Sequence, residues 1–118
     1  MIRSPLIRAT LLSAGLVAGL LLLTLAAYWR VGALRFVSLD DPQYVSANPV
    51  VLRGLSAEGL RYAFTTTDLG NWHPLTWLSH MLVVELWGVE PGAHHVANLV
   101  LHLGCVALLF WFAWRTTR

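Results

Sequence analysis

The sequence is poor in charge, lysine and cysteine. Only 12% of its 118 residues are charged, all eight basic residues are arginine, and Cys105 is the single cysteine. One cysteine cannot form an intramolecular disulfide, and it does not indicate a redox compartment. Hydrophobic residues make up 57% of the chain and the mean hydropathy is +0.62, too apolar for an ordinary soluble domain of this length. The composition predicts a membrane protein.

Several motifs that carry chemistry are also missing. The sequence has no HExxH zinc motif and no glycine-rich phosphate loop of the P-loop kind. It shows no low-complexity run and no helical repeat of about 34 residues. No Asn-x-Ser/Thr site occurs, which is compatible with any outer compartment. Nothing in the chain indicates a nucleic-acid partner.

Two long uncharged runs are present, Ala9–Trp29 and Val96–Trp114. At 1.5 Å per residue the first run reaches about 31 Å, the thickness of a hydrocarbon core. Both runs are therefore predicted to be transmembrane helices. A secretory signal peptide, with small residues at Ala26-Ala27, is the alternative for the first run. The run is longer than a typical signal-peptide core, and Tyr28-Trp29 is typical of an interfacial anchor.

The arginines predict the orientation. The tails outside the two runs hold four arginines and no acid, whereas the segment between them holds four arginines and all six acids. By the positive-inside rule both termini are cytoplasmic and residues of about 30 to 95 lie outside, although Arg30 and Arg35 reduce the asymmetry. We expect a cytoplasmic start and first span at residues 1–30, an outer loop at 31–95, and a second span with a cytoplasmic end at 96–118. This describes an integral, multi-pass protein, expected in a bacterial inner membrane.

The outer loop should contain two short helices, which makes the fold all-α. Ser56 can cap the first, which runs to about Thr66 with Glu58 near its positive end. Its predicted apolar face consists of three residues at helical spacing: Leu60, Ala63 and Phe64.

The second short helix is predicted to begin at Pro74 and to end before Gly88. It is too short to cross a bilayer and too apolar for water, so it should lie in the membrane interface. A helix buried in a protein core is the alternative. The interfacial prediction places three tryptophans at headgroup depth: Trp72, Trp77 and Trp87.

An acidic pair, Asp40-Asp41, lies about ten residues past the first run. A positioned carboxylate can deprotonate an acceptor hydroxyl, and a neighbouring carboxylate raises its proton affinity. Asp before proline is also a common turn or helix start, with Asp41 as the cap and Pro42 as the first helical residue. Both interpretations stay open from the residues alone.

The histidines have several interpretations. On one helix His73 and His80 would lie about 10 Å apart, too far to chelate one ion, so core or interface positions are favoured. His94 or His95, with a carboxylate from the loop, could complete a metal or phosphate site, and a divalent metal is therefore a candidate cofactor. No set of metal ligands can be assigned.

A polar stripe of His95, Asn98 and His102 recurs at i, i+3 and i+7 in the second run. Polar groups in a membrane usually face protein or a wet cavity. Hydrogen bonding between helices is the simpler explanation. The candidate substrate-binding residues are His94, His95 and Asn98.

Four ordered motifs occur together: DDPQYVSANP, GLSAEGLRYAFTT, GNWHPLTWLSHML and ELWGVEPGAHHVANLVLH. Over about residues 34 to 114 the chain resembles the amino-terminal region of GT-C membrane glycosyltransferases with tetratricopeptide repeats, relatives of the protein O-mannosyltransferases. The resemblance implies an inverting enzyme that takes a sugar from a polyprenyl-phosphate carrier. It implies that an Asp early in the outer loop is the base, which corresponds to Asp40, with Asp41 as the second choice.

The chain departs from that family because it stops at Arg118. A GT-C enzyme needs many more helices to enclose its substrates, so we expect a fragment that is inactive alone. Its expected partners are membrane lipid, the lipid-linked sugar donor, which is a substrate, and the remaining helices of a larger enzyme. Two alternatives belong to other classes: a small two-span assembly protein without catalysis, and a transporter fragment.

Overall fold

The computed structural model describes residues 5–117. These residues form helices and turns, and no strand occurs among them. Four α-helices follow one another, α1 at Pro5–Ala27, α2 at Ala57–Thr65, α3 at Pro74–Trp87 and α4 at Pro91–Thr116. A five-residue π-helix at Pro42–Ser46 and three short 3₁₀ turns join them. Two of the four tail arginines used to predict the orientation, Arg3 and Arg118, lie outside the described residues.

Helices α1 and α4 are long and apolar enough to cross a membrane. Their 23 and 26 residues correspond to about 35 Å and 39 Å. Helix α4 begins five residues before the predicted Val96, because the Glu90 carbonyl accepts the N–H groups of Ala93 and His94. Pro91 is suited to a first helical position, where a missing N–H costs nothing.

The described residues divide into two compact units, and α1 belongs with most of α4 in the first, Met1–Val31 with Asn98–Arg118. The two helices run antiparallel. Near the end of α1 the ring of Tyr28 meets that of His102 edge-on at 5.8 Å. At the other end Ala9 and Ser13 line a cleft together with Trp114. An antiparallel pair places both of its outer ends on the same side.

The second unit, Gly32–Ala97, has a core centred on Trp77 of α3. This side chain is 0% exposed and packs with Val45, Val51, Ala63 and Met81. Trp77 therefore packs against protein, as the alternative of a core helix requires, and does not present its indole to the membrane interface. Burying the indole against protein removes its large apolar surface from water without any lipid. Trp72 and Trp87 are each 63% exposed.

Helix α2 confirms the predicted capping, but only Ala63 of the predicted apolar face is buried. The Ser56 hydroxyl accepts the N–H of Gly59 at 2.9 Å, as expected of an N-cap. The face that packs on α3 consists of Gly59 and Ala63, whereas Leu60 and Phe64 are half exposed. Gly59 is favoured because a Cβ there would lie 2.8 Å from the Met81 sulfur. Small residues let the two helices approach closely, and the larger apolar residues point outward.

A buried asparagine, Asn48, holds the chain between the π-helix and α2. Its Oδ1 accepts the N–H groups of Val50 and Val51, and its Nδ2 donates to the Gln43 carbonyl and the Tyr62 hydroxyl. The Tyr62 hydroxyl in turn donates to Asp68 at 2.7 Å. Because each polar atom of Asn48 is paired, its burial carries little cost.

Two glycines set the start of α4. A Cβ at Gly92 would lie well inside the van der Waals contact distance from the Gly32 carbonyl oxygen. Neither group can move by a side-chain rotation, because the contact involves backbone on the Gly32 side. Only a residue without a side chain lets the first turn of α4 lie against this carbonyl.

We predict that Gly92→Ala lowers the free energy of unfolding by about 1 to 3 kcal/mol, the usual cost of overpacking. Gly104→Ala is the matched control on the same helix and should be neutral or stabilising, because a Cβ added at Gly104 would meet no atom within 4 Å. Thermal unfolding of the protein in detergent measures both. Equal stability of the two variants would contradict the close approach.

Candidate functional site

The acidic pair lies at the head of the π-helix. The carbonyl of Asp40 accepts the N–H groups of Gln43 and Tyr44, and Asp41 occupies the capping position before Pro42. The side chain of Asp41 does not cap that helix. Its Oδ2 instead accepts the N–H of Val37 at 2.7 Å. The predicted position of Asp41 and Pro42 at a helix start is thus confirmed, while the capping hydrogen bond is absent.

The two carboxylates differ in environment. Asp40 is exposed, and its carboxylate makes no hydrogen bond or ion pair to the described residues. Asp41 is partly buried, and besides its hydrogen bond it acts electrostatically on His80 and His94. Asp41 is therefore held by the protein, whereas Asp40 presents its carboxylate to the surroundings.

A row of rings follows the pair. His73, Trp77 and His80 recur at i, i+4 and i+7, so they share one face of α3. Tyr44 of the π-helix stacks on Trp77 at 5.0 Å and on His73 at 5.5 Å, and it meets His80 at 6.0 Å. The Asp41-Pro42 peptide is two residues from Tyr44, so this stacking also positions the acidic pair.

His80 and His94 meet at the end of this row. Their Nδ1 atoms lie 3.3 Å apart, and Phe36 packs against His94 with ring centroids 5.6 Å apart. His94 is 2% exposed. Its Nε2 makes no hydrogen bond of good geometry to the described residues, although the Gly88 carbonyl lies close enough to act on the ring.

The buried environment of His80 opposes its protonation. Burial, followed by the charge of a protonated His94, lowers the pKa of His80 from 6.5 to about 4, while the Asp41 carboxylate opposes this shift. The charge of a protonated His73 also lowers the pKa of His80, but by less than that of His94. The ring is therefore neutral at pH 7.

The other predicted site residues lie elsewhere. His95 is half-buried, with Nε2 3.4 Å from the Arg35 carbonyl. Asn98 is exposed and belongs to the first unit, as does His102, which contacts Tyr28. Arg53 forms an ion pair with Glu58. Within residues 5–117, no group of three metal-ligating side chains already converges.

The sequence alone did not reveal the contact between His80 and His94. The shared face of His73, Trp77 and His80 could have been inferred, since the bounds of α3 were predicted correctly. The contact with His94 could not have been inferred, because it depends on where α4 begins and how it packs against α3.

Comparisons with protein-family models, with curated proteins and with solved structures find no match for this chain.

The lowered pKa of His80 predicts a loss of stability in acid. An unfolded chain would protonate this histidine near pH 6.5, so the stability from the neutral ring is complete above that pH and is lost as pH falls toward 4. We expect His80→Gln to remove about 1 to 3 kcal/mol of this pH-dependent loss.

The measurement is thermal unfolding of wild type and variant in chelator-containing buffer between pH 7 and pH 4.5. A His80→Gln protein that loses as much stability in acid as the wild type would show that His80 is not the responsible group.

Proposed function

We propose that this chain is the amino-terminal portion of a membrane glycosyltransferase that uses a polyprenyl-phosphate sugar, and that it is inactive alone. The observation that carries the proposal is the acidic pair, with one carboxylate held and the other exposed. The pair lies in a compact unit that directly follows one long apolar helix and contains the start of another. The resemblance to the GT-C enzymes with tetratricopeptide repeats supplies the reaction class.

Asp40 is proposed as the general base. Its exposed carboxylate can reach the hydroxyl of an acceptor, whereas one oxygen of Asp41 already accepts the Val37 N–H. Asp41 is the positioning residue, since it ties the acidic pair to the preceding turn.

The reaction balances with these groups. The acceptor hydroxyl oxygen forms a bond to the anomeric carbon, and its proton passes to the Asp40 carboxylate. The bond between the anomeric carbon and the phosphate oxygen breaks, and polyprenyl phosphate leaves with the electron pair. Attack opposite the leaving group inverts the anomeric centre. The candidate substrate-binding residues His94, His95 and Asn98 remain proposals without a tested role.

Membrane contact is proposed for the outward residues of the second unit as well as for α1 and α4. Trp72, Leu75 and Trp87 are each more than 60% exposed, which is costly in water for large apolar side chains. Tryptophan favours the membrane interface, where the ring is half in lipid and its N–H can remain paired. The Trp72 N–H already donates to the Phe64 carbonyl at 3.0 Å.

A second candidate function is a small two-span protein that assembles with other helices and performs no chemistry. Exposed apolar residues along α1, α4 and α2 favour it, including Leu60 and Phe64 on the outer face of α2. Sugar transfer by a longer protein containing this segment, and its loss on changing Asp40, separates the two functions.

Asp40→Asn in a longer protein that contains this segment and transfers sugar should lower turnover by about 10² to 10⁴, the usual effect of losing a base. Folded abundance should stay constant because the carboxylate is exposed. Glu58→Gln, a matched change at another exposed carboxylate, should keep near-normal turnover. Near-normal turnover of the Asp40 variant would eliminate this base, and transfer by the 118-residue chain itself would refute its proposed inactivity.

The proposed topology places both termini in the cytoplasm and the second unit outside. In a Cys105→Ser background, a single cysteine replaces either Ser46 or Thr117, both exposed. An impermeant thiol reagent applied to intact cells should label position 46 and not position 117. Labelling of 117 alone would reverse the orientation.

A further inference from the structure

The contact between His80 and His94 has the dimensions of a partial metal site. We propose that His80, His94 and Asp41 bind a divalent transition-metal ion with the coordination preference of Zn²⁺. Binding requires neither sugar nor acceptor, so it stands or falls separately from the proposed transferase function.

The first observation that supports a metal site is the distance between the Nδ1 atoms of His80 and His94. A Zn–N distance of 2.0 to 2.1 Å and a tetrahedral angle require two histidine nitrogens about 3.3 to 3.4 Å apart. The two Nδ1 atoms are 3.3 Å apart. Both rings can therefore reach one ion without a change in the backbone, although the contact is also that of a hydrogen bond between two neutral rings.

The orientation of the rings defines what must change on binding. Their centroids are 5.5 Å apart, which points the two Nδ1 atoms almost directly at each other. At a tetrahedral ion each Nδ1 lone pair points about 35° away from the line that joins the two nitrogens, so each ring must turn by up to about this angle when the ion binds. The second side-chain torsion of histidine has a broad minimum, so the torsion itself opposes such a turn only weakly.

Asp41 supplies the third ligand. Its negative charge acts on both rings, and its Oδ2 accepts the Val37 N–H, leaving Oδ1 for an ion. A ligand carboxylate is commonly held by such an outer hydrogen bond. Because no three ligands converge within residues 5–117 before binding, Asp41 must rotate toward the histidines when the ion arrives.

The three proposed ligands determine which metal ion should bind. Two imidazoles and one carboxylate with an open fourth position are typical of catalytic zinc sites and of related transition-metal sites. Mg²⁺ and Ca²⁺ prefer oxygen ligands and should bind poorly. His80 and Asp41 are only partly buried, which gives an ion a route to the buried His94.

The test uses the full 118-residue chain in detergent, titrated with Zn²⁺ by calorimetry and with Co²⁺ by visible absorption. We expect one ion per chain and an intense band of four-coordinate Co²⁺. His80→Gln and His94→Gln should each weaken Zn²⁺ binding by at least about tenfold, and Asp41→Asn by about tenfold. His95→Gln, next to His94 but directed at Arg35, should bind like the wild type.

Circular dichroism confirms that each variant is folded. If His94→Gln does not fold because His94 is buried, the half-buried His80 decides. No binding by the wild type, or equal binding by folded His80→Gln, would show a hydrogen-bonded histidine pair only. A weakening in His95→Gln equal to that in His80→Gln would assign the ion to another place and also overturn the site.

Discussion

The packing of aromatic rings around Trp77 organises the second unit. Tyr44 covers one side of the indole, Tyr62 meets it edge-on at 5.2 Å, and His73 lies 5.3 Å away. These rings come from the π-helix, α2 and the residue that precedes α3. A single side chain therefore contacts rings from three segments of the chain, and aromatic contacts of this kind add stability beyond the area they bury.

This packing also determines where the acidic pair can lie. Tyr44 follows Asp41 by three residues, so the ring stack sets the position of the short helix that the pair begins. The arrangement has a cost, since the Trp77 Nε1 and His73 Nε2 atoms are buried without partners among the described residues. Each such atom typically costs about 1 to 3 kcal/mol. The unit tolerates that cost where its titratable side chains cluster.

Local signals in the sequence predicted the elements well. Ser56 at a capping position, Pro74 at a helix start and Gly88 at a helix end give α2 and α3 almost to the residue. The buried face of α2 was harder to predict. Helical spacing alone does not show that Leu60 and Phe64 point outward while Gly59 and Ala63 point inward. That choice depends on the close approach of α2 to Met81. The proximity of Asp41 to two histidines arises from tertiary packing and leaves no local signal.

The contact between Gly92 and Gly32 determines how α4 is rotated about its own axis. Successive residues of an α-helix are rotated by about 100° around its axis, so fixing one position fixes the direction of every side chain after it. Gly92 lies one residue before Ala93 and two before His94. An inserted residue between them would swing His94 by roughly a quarter turn, away from His80. The close backbone contact thus fixes the rotation of α4 about its own axis. This rotation is what brings His94 next to His80.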